Sequence, residues 1–360
     1  MPKRPEDLNA IKDIRIEDGL GGLLTWINKA SAIRKGPGIG EIDIGYFANV
    51  IRLSSDISIA LSTDGVGSKV ILAQMMGRYD TIGIDCVAMN VNDVLCVGAE
   101  PISFLDAISV ENIDAISLGE IGEGLYSGAK QADVNIVGGE IAQMPDVIQG
   151  FSHGTGIDII GTCIGILPPN DVNIGQNVKE GDVLIGIRSS GLHSNGFTLA
   201  RKILFSDSKL DLNYTFHNGL SLGDVLLEPT IIYTDLVKEL KLNNINVKAY
   251  SNITGSGLFN IVRINSPFGY TIESFPEIPP VFSLIQELGQ LDFAEMFRVF
   301  NMGIGFTVTV AAQDKERVLK IIKGKNIEAF HIGHAVSDER KRIFLEPYGL
   351  CGENGQFYLR

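Results

Sequence analysis

Basic charge, paired cysteines and long apolar runs are all scarce in this sequence, and each shortage removes a class of function. The chain carries 30 Lys and Arg against 43 Asp and Glu, a net charge of −13. Nucleic acid and anionic membranes are bound through basic surface, so no partner of either kind is expected. An anionic small molecule is not excluded, because it needs only a few local cations and amide donors. The four cysteines, Cys86, Cys96, Cys163 and Cys351, form no Cys-x-x-Cys pair and have no nearby histidine to complete a zinc set. They read as reduced packing residues of a cytoplasmic protein. No stretch approaches the roughly 18 apolar residues of a membrane span, and the start, Met1 to Asp7, lacks the apolar core of a signal peptide.

Glycine is plentiful instead, at 41 of 360 residues, with an apolar content of 45%. That mixture suits a globular protein with many tight turns, and the length is generous for one core, so two domains are expected. Leu167-Pro168-Pro169-Asn170-Asp171 follows a strand at 158–166 and is the best linker. It divides the chain into domains at 1–168 and 169–345, with 346–360 as a C-terminal tail.

Residues 57–100 carry the densest chemistry. Ile57, Ile59 and Leu61 alternate with Ser58, Ala60 and Ser62 as in a strand, which feeds the loop Ser62-Thr63-Asp64-Gly65-Val66-Gly67-Ser68-Lys69. The glycines let backbone amides approach an anion and Lys69 adds charge, which suits a phosphate or metal–phosphate site. The spacing is not that of a Walker loop. A helix over Ile82–Leu95 puts Asp85, Met89, Asn92 and Asp93 on one face and Val87, Val91, Val94 and Leu95 mostly on the other. Beside Asp64, that acidic face could hold Mg²⁺ carrying a nucleotide, since this ion takes few carboxylates and completes its shell with phosphate and water. The alternative is that Asp64 caps a turn and the helix acids are solvated.

Other segments offer similar choices. Gly36, Gly38, Gly40 and Gly45 crowd one short stretch after a helix at 19–32. Their amides either wrap a polyphosphate or form a plain surface loop. A strand at 102–108 carries Asp106, a helix spans 113–131, and a strand at 134–137 runs into Gly138-Gly139-Glu140. Glu140 is either a third metal acid or an ordinary turn acid. A strand at 181–187 turns through Ser189–Gly196 into a helix at 197–204, placing amides and hydroxyls where an anion would sit. His193 in that turn is either a general acid or base, or orders the loop. A helix at 222–240, a turn leading into a helix at 252–258 and a strand at 300–310 complete the pattern, with no G-x-G-x-x-G.

Together these loops resemble those of the phosphoribosylformylglycinamidine cyclo-ligases, also called aminoimidazole ribonucleotide synthetases, from about residue 8 to about residue 345. The resemblance rests on Ser62–Lys69, Ile82–Pro101, Phe104-Leu105-Asp106, Val137–Glu140, Ser189–Gly196 and Phe297–Gly305. It implies an α/β fold of the α+β type, in two domains that are each a mixed sheet flanked by helices. It also implies a homodimer made by joining the N-terminal sheets into a barrel. The implied reaction belongs to purine biosynthesis. ATP phosphorylates the formyl amide oxygen of formylglycinamidine ribonucleotide, the amidine nitrogen attacks that carbon, and the imidazole ring closes with release of ADP and phosphate.

The resemblance also implies the site. Asp64, Asp93 and Glu140 would hold Mg²⁺, and the Gly36, Gly38 and Gly40 loop would cover the triphosphate. Gly65, Lys69, Thr254 and Gly255 would contact the nucleotide, and Ser194 and Asn195 the substrate or phosphate end. Asp93, His193 and Asn252 would be the catalytic group. Three departures stand out. Asn252 replaces the family histidine and cannot transfer protons near neutral pH. Gln143 replaces a glutamate. Glu41 and Asp43 make the glycine loop more acidic and resemble metal-binding acids of thiamine-monophosphate kinase. A small-molecule kinase of the same superfamily, or a non-catalytic nucleotide-binding paralogue, are the competing readings.

Overall fold

In the computed structural model, which describes residues 20–360, a helix, α1 (residues 20–31), precedes a six-stranded sheet. The start at Met1–Asp7 lies outside the described residues. The sheet comprises β1 (Ile39–Gly40), β2 (Asn49–Arg52), β3 (Ser58–Gly65), β4 (Glu100–Val110), β5 (Asn135–Gln143) and β6 (Ile157–Leu167), in the order β1-β2-β3-β6-β4-β5. Only β4 and β5 run parallel. Helices α2 (Lys69–Met76), α3 (Asp80–Cys96) and α4 (Leu118–Ala132) belong to this half, and α3 packs against β3, β4 and β6. The small residues Ser58, Ala60 and Ser62 of β3 are buried, whereas Ile59 and Leu61 are only half-buried. Among the described residues, the opposite face of the sheet therefore carries apolar side chains that stay partly exposed, Ile160 and Ile166 of β6 among them.

Several sequence expectations need revision. The strand continues through Asp64 and Gly65, so the loop shrinks to residues 66–68. The helix at 113–131 is a 3₁₀ turn, Ile113–Ala115, followed by α4, whose start is fixed by Ser117 accepting from the Glu120 N–H. Glu140 lies within a strand, not at a turn. Helix α3 is also not two-faced: Asp85, Asn90 and Asn92 are as buried as Val87 and Val91. It lies between the two halves of the molecule, so both its faces meet protein.

The second half forms an eight-stranded sheet from β7 (Val183–Arg188), β10 (Val247–Asn252), β11 (Phe268–Ile272), β12 (Ile304–Val310), β13 (Ala329–Ser337), β14 (Ile343–Leu345), β15 (Leu350–Glu353) and β16 (Gln356–Leu359). Thr215–His217 and Leu220–Ser221 form a separate hairpin, β8 and β9. Residues 346–360 are thus no tail, since β15 and β16 extend the sheet by antiparallel pairing. Its helices are α5 (Phe197–Arg201), α6 (Leu222–Leu227), α7 (Thr234–Leu242), α8 (Pro280–Gly289), α9 (Phe293–Val299) and α10 (Lys315–Gly324). The expected helix at 197–204 is α5 continued by a π-helical turn, Lys202–Asp207. The single helix expected at 222–240 is broken because Pro229 forces Glu228 into extended backbone. At 252–258 the helix is of 3₁₀ type and spans Gly257–Val262, and β12 begins only after Met302 and Gly303, both at positive φ. Two mixed sheets flanked by helices are the expected architecture.

Helices α3 and α4 touch backbone to backbone. A Cβ on Gly124 would lie 1.9 Å from the Asp80 carbonyl oxygen, and one on Gly83 would lie 2.4 Å from the Leu125 nitrogen. No side chain is present to yield, so Gly124→Ala must separate the helices. We expect this substitution to destabilise the fold by about 1–3 kcal/mol or more, read by chemical denaturation. An unchanged midpoint would show that the helices are not in such contact.

Candidate active site

The segment between α6 and α7, residues 228–233, is stitched to the first half through side chains that sequence spacing had assigned to ligand. Lys69 Nζ lies 2.7 Å from Asp85 Oδ2, and both side chains are 0% exposed. Lys69 also donates to the Glu228 carbonyl at 2.8 Å. Asp85 Oδ1 accepts from the Thr230 amide and hydroxyl at 2.8 and 2.6 Å. Two helical turns along, Asn92 donates to the Ile231 carbonyl at 2.8 Å and accepts from the Tyr233 amide at 3.1 Å. Burial pushes the Lys69 pKa down and the Asp85 carboxylate opposes that shift. Lys69 and Asp85 are therefore closed to solvent and satisfied by protein groups, whereas Asp93 on the same helix takes no part in this pair.

Asp93 faces the junction from α3, where its Oδ1 accepts from Asn252 Nδ2 at 2.8 Å. Burial, with the Asp64 charge adding to it, raises its pKa to about 7, while Asn252 and Arg263 pull it down. Asp64 ends β3 with its carboxylate on its neighbour's amide, Gly65 N–H, at 2.8 Å, and burial raises its pKa too. Asn90 supports that strand end by donating to the Asp64 carbonyl at 3.1 Å. Asp64, Gly161, Asp106 and Gly139 stand in one row across β3, β6, β4 and β5, so Asp106 shares a sheet face with Asp64. Sequence reading saw Asp106 but gave it no task; only the register aligns it. Glu140 is one residue out of that row, exposed on the edge strand and turned to the other face. It does not join Asp64 and Asp93.

Among the described residues no group of three His, Cys, Asp and Glu could hold a metal ion alone. Asp64 and Asp93 nevertheless suit Mg²⁺ on a polyphosphate, because both are desolvated carboxylates without a contacting cation among the described residues. A hard cation with two carboxylates, phosphate oxygens and water is its ordinary coordination.

The 189–196 loop closes the other side. His193 is 2% exposed and left-handed at φ 61°, and its Nε2 accepts from the Ser190 amide at 3.2 Å. Burial and the Lys69 charge bring its pKa down to about 3, so the imidazole is neutral and orders the loop. Of the two readings of His193, its burial and this hydrogen bond support the loop-ordering one. Ser194 is also buried, with its hydroxyl 3.3 Å from that of Thr230. Asn195 reaches both α3, 3.9 Å from Met89 Sδ, and the Thr254-Gly255 turn, where a Cβ on Gly255 would lie 3.3 Å from its Oδ1. Asn301 anchors the loop by accepting from Ser189 Oγ and donating to the Gly191 carbonyl. Sequence reading assigned Asn301 no role, although it lies in a quoted motif.

Asp64, Gly65, Asp93, Asn195, Asn252, Thr254 and Gly255 thus gather where the two halves meet. Gly36, Gly38 and Gly40 do not form an open phosphate loop. Ile39 and Gly40 pair with Ile51 and Arg52 at the sheet edge, and the Glu41 carboxylate accepts from Arg52 and Ser58.

Comparison with known proteins follows the same two halves. Residues 45–167 match the family of AIR synthase related protein, N-terminal domain, and residues 179–346 match AIR synthase related protein, C-terminal domain. A phosphoribosylformylglycinamidine cyclo-ligase of Thermococcus kodakarensis is 45% identical over 342 residues, covering 94% of this chain and 97% of that protein. The protein of the same name from Methanocaldococcus jannaschii is 46% identical, covering 81% of each. Among solved structures, thiamine-monophosphate kinase from Stenotrophomonas maltophilia aligns with a TM-score of 0.60 at 18% identity, over 88% of this chain and 94% of that one. PurL of T. maritima, solved with ADP, aligns at 0.55 and 15% identity over 87% of this chain and 45% of that one. At such identity these structures share the fold alone.

The buried ion pair makes a sharp stability test. Lys69→Met leaves Asp85 charged without its partner and should cost about 3–5 kcal/mol in chemical denaturation. The double variant Lys69→Met/Asp85→Asn removes both charges while keeping an acceptor for Thr230, and should recover most of that loss. A Lys69→Met protein within about 1 kcal/mol of wild type would show that the pair is not closed to water.

Proposed function

The chain belongs to the AIR synthase related family, and on that premise we propose that it is a phosphoribosylformylglycinamidine cyclo-ligase of purine biosynthesis. It converts formylglycinamidine ribonucleotide and ATP to aminoimidazole ribonucleotide, ADP and phosphate. The observation that carries this reading is the high identity with cyclo-ligases through both halves of the chain. The meeting of Asp64, Asp93, Asn195 and Asn252 at the junction of those halves supports it.

The chemistry needs few reactive side chains. An amide oxygen leaves poorly, so transfer of the γ-phosphoryl group from ATP onto that oxygen, with the bond to ADP breaking, converts it into a phosphate ester that leaves as phosphate. The amidine nitrogen then forms the ring C–N bond as the C–O bond to phosphate breaks. Positioning and charge neutralisation dominate phosphoryl transfer. Mg²⁺, held by Asp64 and Asp93, would neutralise the polyphosphate in that transfer. Asn252 fixes the Asp93 carboxylate through its amide, a task that requires no proton transfer and for which asparagine suffices. Asn195 closes the cleft from the second half, against the Thr254-Gly255 turn. Four free, buried cysteines fit a reducing cytosol, where we place the enzyme. No helix among the described residues is long and apolar enough to cross a membrane.

We further propose that the enzyme works as a homodimer through the uncovered face of the first sheet. Ile57 on the approach to β3, Ile160 and Ile166 on β6, and Val137 on β5 are 49, 40, 39 and 62% exposed. Such a face, continuous across several strands, asks for a partner.

Two measurements test these readings. Purified protein with Mg²⁺ and ATP should release ADP only when formylglycinamidine ribonucleotide is present, matched one for one by aminoimidazole ribonucleotide. ADP without the imidazole product would point to a kinase of the same fold, and no turnover to a binding paralogue. Light scattering should give twice the chain mass, and Ile160→Lys/Ile166→Lys should give a folded monomer; a monomeric wild type would refute the dimer.

A further inference from the structure

With Lys69 buried against Asp85, the cation expected to meet phosphate must come from elsewhere. The cleft near Asp93 offers Arg263, which follows the 3₁₀ helix Gly257–Val262 and so sits ten residues beyond the Thr254 turn's first partner, Ile253. Arg263 is exposed, with its guanidinium 5.2 Å from the centre of the Phe47 ring. Among the described residues it makes no hydrogen bond or ion pair. Stacking on a ring fixes the plane of the guanidinium while leaving its five N–H donors free. Phe47 follows the glycine-rich segment, so this stack ties Arg263 to the end of that segment.

A cavity of about 400 Å³ opens at this point, lined by Asp43, Gly45, Tyr46, Arg263, Asn265 and Lys341 among others. Lys341 Nζ spends one donor on the Ile264 carbonyl at 2.6 Å and keeps its charge at the rim. Glu41, which also lines the cavity, is committed to Arg52 and Ser58, leaving Asp43 as the acid without an internal partner. The buried Tyr46 hydroxyl has no hydrogen-bond partner either. In a chain of net charge −13, Arg263, Lys341 and the Tyr46 hydroxyl bring several donors to one cavity.

We propose that Arg263, seconded by Lys341, is the phosphate anchor of the site, binding the phosphate oxygens of an anionic ligand in the cavity between residues 41–46 and 263–265. The geometry of a planar guanidinium favours two parallel hydrogen bonds to such a group. The shared chemistry comes from two sources, the polyphosphate of ATP or the phosphate ester of the ribonucleotide substrate. The inference rests on the function proposed above for the identity of these ligands, and not for the existence of the site.

Calorimetry on the intact protein with inorganic tripolyphosphate and with ribose 5-phosphate separates the sources. Arg263→Gln should weaken one of these probes by about tenfold to a hundredfold, with Arg263→Lys in between. In turnover, the KM of the matching ligand, ATP or the ribonucleotide, should rise by a similar factor while kcat changes less. Thermal melts should move little, because Arg263 is exposed, and Lys341→Gln should weaken the same probe by a smaller factor. If neither probe binds wild type, or if Arg263→Gln leaves both affinities and both KM values unchanged, the inference is overturned. A wild type that makes no imidazole product would sink the proposed function, yet the probe affinities would still decide the anchor.

Discussion

Two opposite charges with no access to water, on Lys69 and Asp85, hold the two halves of this molecule in one arrangement. Removing them from solvent is expensive, and the expense is offset only when geometry and further hydrogen bonds are good. Here Asp85 accepts two bonds from Thr230 as well as meeting Lys69 at 2.7 Å. Lys69 gives a second bond to the Glu228 carbonyl. Each of these partners belongs to the segment between α6 and α7. The pair is thus a fixed point between the domains, and Asn92 repeats the arrangement two helical turns away.

The cleft inherits its shape from that fixed point. Helix α3 carries Asp85 and Asn92 toward the stitched segment, and Met89 and Asp93 toward the cleft. Its position therefore sets where Asp93 meets Asn252 and where Met89 meets Asn195. The same constraint explains the loop of Ser189–Gly196, because Ser194 leans on Thr230 and His193 is packed as a neutral ring against Gly305 and Tyr233. Tyr233 in turn stacks on Phe306 and donates to the Arg188 carbonyl at 2.9 Å. A site assembled this way is rigid where the domains meet, which suits chemistry driven by positioning.

Charge in the cleft is arranged with its carboxylates on one side and a guanidinium on another. Burial raises the pKa of both Asp64 and Asp93, with the Asp64 charge adding to the shift at Asp93, while the Arg263 side chain stacks on Phe47 without a hydrogen-bond partner among the described residues. Acid and base are thus held apart instead of neutralising each other. That separation fits a bound metal–phosphate pair, in which the acids meet the metal and the base meets the phosphate. An overall negative chain can bind a polyanion because the local field decides, and the net charge does not.

The residue pattern was enough to mark the strand through Asp64, the long helix through Asp93 and the glycine turn around Asn195. Alternation, helical spacing and turn residues are local signals, and local backbone preference writes them directly into the chain. The family resemblance also came from such short ordered motifs. What only tertiary structure decided is where each charge points. Lys69 and Asp85 read as ligands because charged residues beside glycines usually face solvent, yet they are 159 and 145 residues from the backbone groups that bind them. His193 lost its acid–base reading for the same reason, since burial, and not sequence, sets its pKa. Glu140 and Asp106 exchanged standing through strand register, because a one-residue offset turns a side chain to the other face of the sheet. The partners of a polar side chain lie across the fold, so the chain alone names the residue and the packing assigns its work.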